Sequence, residues 1–330
     1  MYVFSHSKGI ITEKVFKYYF GSYNLHAKNL KFTDNISHLM HKSLSNKKVL
    51  ITGATGYIGS NLVSQLVKLN CDITCVNSSK QLKENSDGFD VENITYCDSI
   101  QSLESAFQQG KFYAIFHLAG FQALNLNSQT LNTTLNSNIN FGCHILELSR
   151  QYDAEHFIYA ESFFQFDQKG DYLPRNLYAA SKQAFSDIVL SYAINGLKST
   201  SLVLFDVYGP SDPRNKLFNR LDQAFHSQER LLLTPGKQIH YPIYITDVIA
   251  ALCDATTIQK KNLFDRFWIA GEGLTLKEAV ELWCKIKQKN LNISWGGIEY
   301  FPHQVLKPFI GEKIPGWNAK VKLHEGLKII

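Results

Sequence analysis

Cysteine, methionine and tryptophan are scarce in this chain of 330 residues, at six, two and four, and charged residues make up only 19%. No window approaches the roughly 18 uninterrupted apolar residues that a membrane-crossing helix needs, so none is expected. Met1 to Lys8 lack an apolar stretch ending in a small-residue cleavage site, and a secretory leader is not expected either. Of the cysteines only Cys71 and Cys75 lie close together, in a strand-like run without a companion His or Cys cluster. That excludes a zinc site and leaves reduced thiols and a cytoplasmic location as the expectation; no metal is expected. Arginine is absent from the first 48 residues, which hold eight lysines against Glu13 and Asp34, so that this segment alone nets +6 of a total of +5. The rest of the chain is therefore slightly acidic, and with no recognition module visible, nucleic acid is not an expected partner. Internal repeats and low-complexity runs are missing as well.

What remains is a chain with 45% hydrophobic residues, enough for a sizeable core. Residues 1–45 read as an extension, with short helices expected at Thr12–Phe20 and Asp34–Leu44 and a high density of aromatics. The extension is expected to cover its own protein or a second subunit; a basic amphipathic membrane-surface anchor is the weaker alternative. From Lys47 onward strands and helices alternate. Strands are expected at Lys48–Thr52, Asp72–Asn77, Ile94–Cys97, Tyr113–Leu118, His156–Ala160 and Thr200–Phe205, and helices at Tyr57–Leu69, Asn136–Arg150 and Leu177–Ile194. Such alternation predicts an α/β fold with a doubly wound parallel sheet. The expected domains are a dinucleotide-binding unit over 46–205, rejoined by 241–258, and a smaller substrate-binding unit from 206–240 and 259–330.

The first strand runs into Thr52-Gly53-Ala-Thr55-Gly56-Tyr57-Ile58-Gly59, which opens the first helix. The spacing G-x-x-G-x-x-G meets the mechanical needs of a dinucleotide loop. Gly53 allows the tight turn, Gly56 lets the backbone approach a pyrophosphate, and Gly59 lets the helix sit close to the sheet. The helix N-terminus offers free N–H groups to the phosphates. An acidic residue that would hold an adenosine ribose is missing after the second strand, where Asn77, Ser78 and Lys80 stand instead. A carboxylate would repel a 2′-phosphate and these residues accept one, so NADP(H) is favoured over NAD(H) as cofactor. Asp98, after the third strand, is placed either to reach the adenine amine or simply to finish a strand-end turn.

Tyr178 and Lys182 stand four residues apart on one helix face. A free phenol titrates near ~10, and a neighbouring ammonium favours the phenolate, which brings the hydroxyl into range for acid–base work. Together with the glycine loop, this pair resembles the extended short-chain dehydrogenase/reductase family of sugar-nucleotide epimerases, dehydratases and ketoreductases. Further matching pieces are Phe116–Gly120, Asn138–Gly142, Phe157–Ser162, Val207–Pro210, Tyr244–Val248 and Pro315–Trp317. The resemblance runs from about Lys47 to the end of the chain. It implies that Ser162 hydrogen-bonds the reacting oxygen, that Tyr178 is the acid–base, and that Lys182 binds the nicotinamide ribose and lowers the tyrosine pKa. It sets the backbone of Leu118, Ala119, Gly120 and Val207 against the cofactor, gives Asn138 and His117 structural roles, and implies a homodimer that pairs helices, among them the one bearing Tyr178.

Within that family, 4,6-dehydratases carry an Asp-Glu pair after the Ser/Thr; Phe163-Phe164 stand here, which disfavours a dehydratase. The segments Val207–Phe218 and Pro315–Lys320 look closest to the CDP-abequose and CDP-paratose synthases, NADPH-dependent reductases of a 4-keto-deoxysugar nucleotide. An epimerase remains the alternative, and a non-catalytic cofactor-binding homologue the rival from another class. Where relatives often hold Arg before the Tyr-Val-Asp-Asp-like segment this chain has His240, and Asp206 replaces an Asn or His. His240 with Arg214, Lys216 and Arg220 makes up the expected substrate-binding set.

Overall fold

The computed structural model describes residues 42–76, 94–123, 125–258, 262 and 264–330. Both short helices expected before residue 42 lie outside them, apart from Lys42–Leu44, which forms a 3-10 turn. Seven strands make the main sheet: β1 (Lys48–Thr52), β2 (Asp72–Val76), β3 (Ile94–Cys97), β4 (Ala114–His117), β5 (Phe157–Ser162), β6 (Ser199–Leu204) and β7 (Phe264–Ile269). Their order is β7-β6-β5-β4-β1-β2-β3 and every neighbouring pair is parallel. The doubly wound arrangement expected from the alternation of elements is therefore the one observed. Strands β4 and β5 are buried along their whole length, as strands covered on both faces by helices must be.

Helix α1 (Tyr57–Lys68) turns Leu62 and Leu66, one turn apart, into the core. Helix α2 (Ile100–Gln108) starts on a Ser99–Ser102 capping box. The expected helix at Asn136–Arg150 is more complex: α3 (Ser128–Leu135) and α4 (Phe141–Gln151) are joined by a π-helical turn at Asn136–Asn140. Helix α5 (Leu177–Ile194) is capped by the Asn176 side chain, which accepts from the Ala179 N–H at 2.9 Å. After β6 come α6 (Leu217–Ser227), α7 (Ile245–Ala255), α8 (Leu276–Lys287) and α9 (Leu323–Ile329), with short two-stranded pairs between them. Phe264–Ile269 falls within the stretch expected to form the substrate unit, yet it is the edge strand β7 of the main sheet. Its alternating buried and half-buried side chains suit a strand with one neighbour.

Two motifs distant in sequence meet at α7. The buried Asp247 carboxylate accepts from the Val321 N–H at 3.0 Å, and the Trp317 indole N–H donates to the Asp247 carbonyl at 3.2 Å. The C-terminal segment is thereby tied to the sheet-side helix. Among the described residues no helix is long and apolar enough to cross a membrane, and no cluster of three or more His, Cys, Asp or Glu could hold a metal ion.

Candidate active site

The chain reverses its direction of travel across the sheet between β1 and β4, and a crevice opens there beyond the strand ends, as doubly wound sheets require. Gly53 takes a left-handed φ of 71°, and a Cβ on it would stand 2.8 Å from the Ala119 nitrogen. Only glycine lets the loop come this close to the end of β4. A Cβ on Gly59 would lie 2.1 Å from the Gly53 carbonyl oxygen. Behind the loop, Thr52 Oγ1 accepts from the Ala119 N–H at 3.2 Å and meets His117 Nδ1 at 2.9 Å. His117 is fully buried, and burial pulls its imidazole down to about 3, so it stays neutral and structural.

Two cavities share this loop. One of about 610 Å³ runs along Thr55, Gly56, Ala119, Gly120, Thr133, Asn136, Ser137 and Phe141. The other, about 240 Å³, is walled by Tyr57, Ile58 and Gly59, by Ser162, Tyr178 and Lys182, and by Asp206, Val207, Arg214 and Lys216. Gly53, Gly56, Leu118 and Gly120 line both, so together they form one elongated crevice over the glycine loop. Its glycine-only approach and the N-terminus of α1 fit a dinucleotide, with the expected residues Gly53, Thr55, Gly56 and Leu118–Gly120 along it.

The fold thus gathers Ser162, Tyr178 and Lys182 on one wall. Ser162 ends β5; its N–H donates to Gln165 Oε1 at 2.9 Å and its hydroxyl oxygen accepts from the Phe164 N–H at 3.3 Å. The Ser162 O–H is left to donate. Lys182 Nζ donates to the Ala160 carbonyl at 3.0 Å and to the Ala119 carbonyl at 3.5 Å. It lies 4.8 Å from the centre of the Tyr159 ring and 5.9 Å from that of Tyr178. Burial pulls the ammonium down to about 8, against an upward pull from Glu161.

The expectation that Lys182 lowers the tyrosine is not what the structure displays. Burial pushes the Tyr178 phenol up to about 12, and the cation that opposes this is Arg214. Arg214 comes from the loop after Val207: it grips Asp212 through two contacts of 2.7 Å, donates to the Val207 carbonyl at 2.9 Å, and lies over the Tyr57 ring at 4.7 Å. The Tyr57 hydroxyl donates to the Pro210 carbonyl at 3.2 Å, so this loop is strapped to the glycine turn.

Not every expected residue reaches the crevice. Arg220 is exposed on α6 and lines neither cavity; it follows the helix one turn beyond Lys216, on the solvent side. His240 lines neither cavity; its Nδ1 stands 3.2 Å from Oδ2 of Asp206, which lines the smaller one. That contact, with Lys216 and Arg175, holds the Asp206 carboxyl below its usual range despite the opposing effect of burial. Asp98 is exposed and lines neither cavity; its N–H donates to Ser102 Oγ at the cap of α2. Asn77, Ser78 and Lys80 lie outside the described residues.

Asn138 is expected from its motif to be structural, whereas the roles of Arg175 and Glu161 escaped sequence reasoning. Asn138 sits buried in the π-helical turn, accepting from the Phe121 N–H at 2.6 Å and donating to the Phe121 carbonyl and to Ser181 Oγ. π-turns of this kind recur at functional sites. Arg175 stacks on Phe163 and Phe164, 5.0 and 4.9 Å from the ring centres. Glu161 borders the smaller cavity, bound to a residue 105 positions away. Asn138 and Glu161 both lie in matching motifs, Asn138–Gly142 and Phe157–Ser162, and Arg175 lies in none.

Comparison with known proteins agrees with this geometry. The chain is similar to the CDP-abequose synthase of Yersinia pseudotuberculosis, 25% identical over 79% of this chain and 91% of the relative. It is similar to that of Salmonella muenchen at 24% identity, over 86% and 96% of the two chains. Among solved structures, a UDP-glucose 4-epimerase from Thermotoga maritima with UDP-glucose superposes with a TM-score of 0.71 at 23% identity, over 86% of this chain and 96% of the other. The UDP-glucuronic acid 4-epimerase of Bacillus cereus, in complex with UDP-glucuronic acid and NAD, gives 0.73 at 19% identity, over 86% and 97%. The NAD dependent epimerase/dehydratase family profile matches residues 49–263, and the chain belongs to that family.

Proposed function

We propose that this chain is an enzyme that reduces the C4 ketone of a 4-keto-deoxysugar nucleotide, with NADP(H) preferred over NAD(H). The observation that carries the reading is the convergence of Ser162, Tyr178 and Lys182 on one small cavity that continues into the glycine-loop crevice. A bound nicotinamide dinucleotide would supply the hydride, a chemistry no side chain offers. Gly53, Thr55, Gly56 and Leu118–Gly120 would hold it, and Lys182, with two of its three donors on carbonyls, has one left for a ribose hydroxyl.

At about 12 the Tyr178 phenol keeps its proton throughout the working range, the state a reductase needs in its acid. Ser162 and Tyr178 both present an O–H to the oxygen that gains negative charge, and Tyr178 Oη gives up its proton to it. Arg214 and Lys216 also line the cavity, cations suited to an anionic nucleotide. Elimination of water would need an additional acid and base; Phe163 and Phe164 fill the following positions and Glu161 is ion-paired with Arg266. The curated CDP-abequose synthases lend the substrate class. The NADP(H) preference rests on the absence of an acid at Asn77–Lys80. A homodimer through α5 would cover Leu190 and Ile194, which are 39% and 60% exposed.

Fluorescence titration with NADPH and NADH, followed by loss of reduced-nicotinamide absorbance with a panel of 4-keto sugar nucleotides, tests the reading. Tighter NADPH binding and one NADPH consumed per substrate are expected. Turnover without net cofactor oxidation would replace it by an epimerase, and binding without turnover across the panel by a non-catalytic homologue.

A further inference from the structure

Glu161 is the penultimate residue of β5, and its side chain has no exposed surface. Two elements converge on its carboxylate. Arg266 of β7 places Nε 2.9 Å from Oε2 and donates from Nη2 to Oε1 at 3.1 Å. Ser186 of α5 donates its O–H to Oε1 and accepts from Arg266 Nη2 at 2.9 Å. Arg266 itself is held between the Phe166 and Phe264 rings, 5.3 and 5.6 Å from their centres. The carboxylate is thus paired with a guanidinium and a hydroxyl inside the fold.

Ser186 follows Lys182 by one helical turn, and the Lys182 ammonium donates to the carbonyl of Ala160, the residue before Glu161. The ammonium and the carboxylate therefore occupy the same gap between β5 and α5. Among the described residues Lys182 forms no ion pair; its hydrogen bonds run to carbonyls. The titratable groups around it are Tyr159 and Glu161 from β5, His117 from β4 and Tyr178 from its own helix, with Arg266 of β7 behind Glu161. His117 is neutral, and the Tyr159 phenol, held protonated by burial, donates to the Lys182 carbonyl at 3.1 Å. Tyr178 keeps its proton as well. Glu161 is the one carboxylate among these groups.

We propose that Glu161 is a positioning residue, the buried counter-ion that keeps Lys182 charged at the crevice, and that Arg266 tempers its strength. The Glu161–Arg266 pair would thus set the pH range in which the site works without touching substrate. The proposal rests on Lys182 as the crevice-facing ammonium. Its ionisation can be followed without any nucleotide, so a failure here is distinct from a failure of the proposed reaction.

The experiment is a pH titration of the full chain carrying ¹³Cε-labelled lysine, read by NMR, with the Lys182 resonance assigned through Lys182→Met. The wild type is expected to titrate at about 8. Glu161→Gln should move the midpoint down by about one unit or more, the effect of removing an opposite charge at this range. Arg266→Gln should move it up, because the carboxylate then acts unopposed, and Arg266→Lys, which keeps the cation, should titrate with the wild type. Opposite shifts cannot arise from general loosening, which would move both variants alike. If Glu161→Gln does not fold, the contrast between the two Arg266 variants still decides. Midpoints unchanged in both charge-removing variants, or displaced in the same direction, would overturn the proposal. So would a Glu161→Gln protein that loses turnover with its Lys182 midpoint intact, since that would put Glu161 in the chemistry itself.

Discussion

Replacing Gly59 by alanine tests the cofactor loop most directly. The added Cβ would lie 2.1 Å from the Gly53 carbonyl oxygen and 2.8 Å from Ala54 Cα, both backbone atoms with no rotamer to escape into. Relief requires the loop and the start of α1 to separate by more than an ångström. The Gly53 oxygen already accepts from the Gly56 N–H at 3.0 Å, while Leu62 and Leu66 anchor the helix with no exposed surface. The cost belongs at the upper end of overpacking, about 3 kcal/mol. At about 2–4 °C per kcal/mol for a large domain, the apparent Tm should fall by roughly 6–12 °C. Opening the loop also withdraws N–H donors from the phosphates, each worth about 1.5–3 kcal/mol, so NADPH affinity should drop by about tenfold or more. For stability alone, Gly56→Ala is the internal comparison: its Cβ meets the same oxygen at 3.2 Å, and a small adjustment accommodates it, although the added methyl would crowd the pyrophosphate. Differential scanning fluorimetry and fluorescence titration measure both effects. A Gly59→Ala protein that melts within about a degree of wild type and binds NADPH equally well would refute the reasoning.

Tyr178→Phe should lower turnover by about 10²–10⁴ with NADPH affinity little changed, in a steady-state assay on the best substrate of the panel; wild-type turnover would end the assignment. In the proposed reading Lys182 donates to ribose hydroxyls, and burial brings its ammonium down to about 8. NADPH affinity should therefore be level below pH 8 and fall as the pH rises through it, and a titration flat to pH 10 would contradict this. Asn138→Leu strips the Phe121 N–H and carbonyl and the Ser181 hydroxyl of their partner in a buried turn. A loss of about 2–4 kcal/mol is expected in denaturant unfolding, and a loss below about 0.5 kcal/mol would show that water or a shifted backbone replaces the amide.

The sequence by itself determined the parts of this protein whose physics is local. A glycine triplet between a Val-Leu-Ile strand and an amphipathic helix can form only a tight turn with close backbone approach, and Tyr178 and Lys182 share a helix face because the helical repeat is 3.6 residues. The parallel sheet followed from the alternation of elements. What only the tertiary structure decided depends on chain closure over long separations and on burial. Phe264–Ile269 joined the main sheet because β6 offered it an edge, Arg220 turned to solvent although Lys216 one turn earlier did not, and Glu161 met Arg266 across 105 residues. The ionisation of Tyr178 and Lys182 belongs here too. Desolvation sums over every neighbour the fold brings in, and it outweighed the single lysine–tyrosine interaction that their spacing suggests.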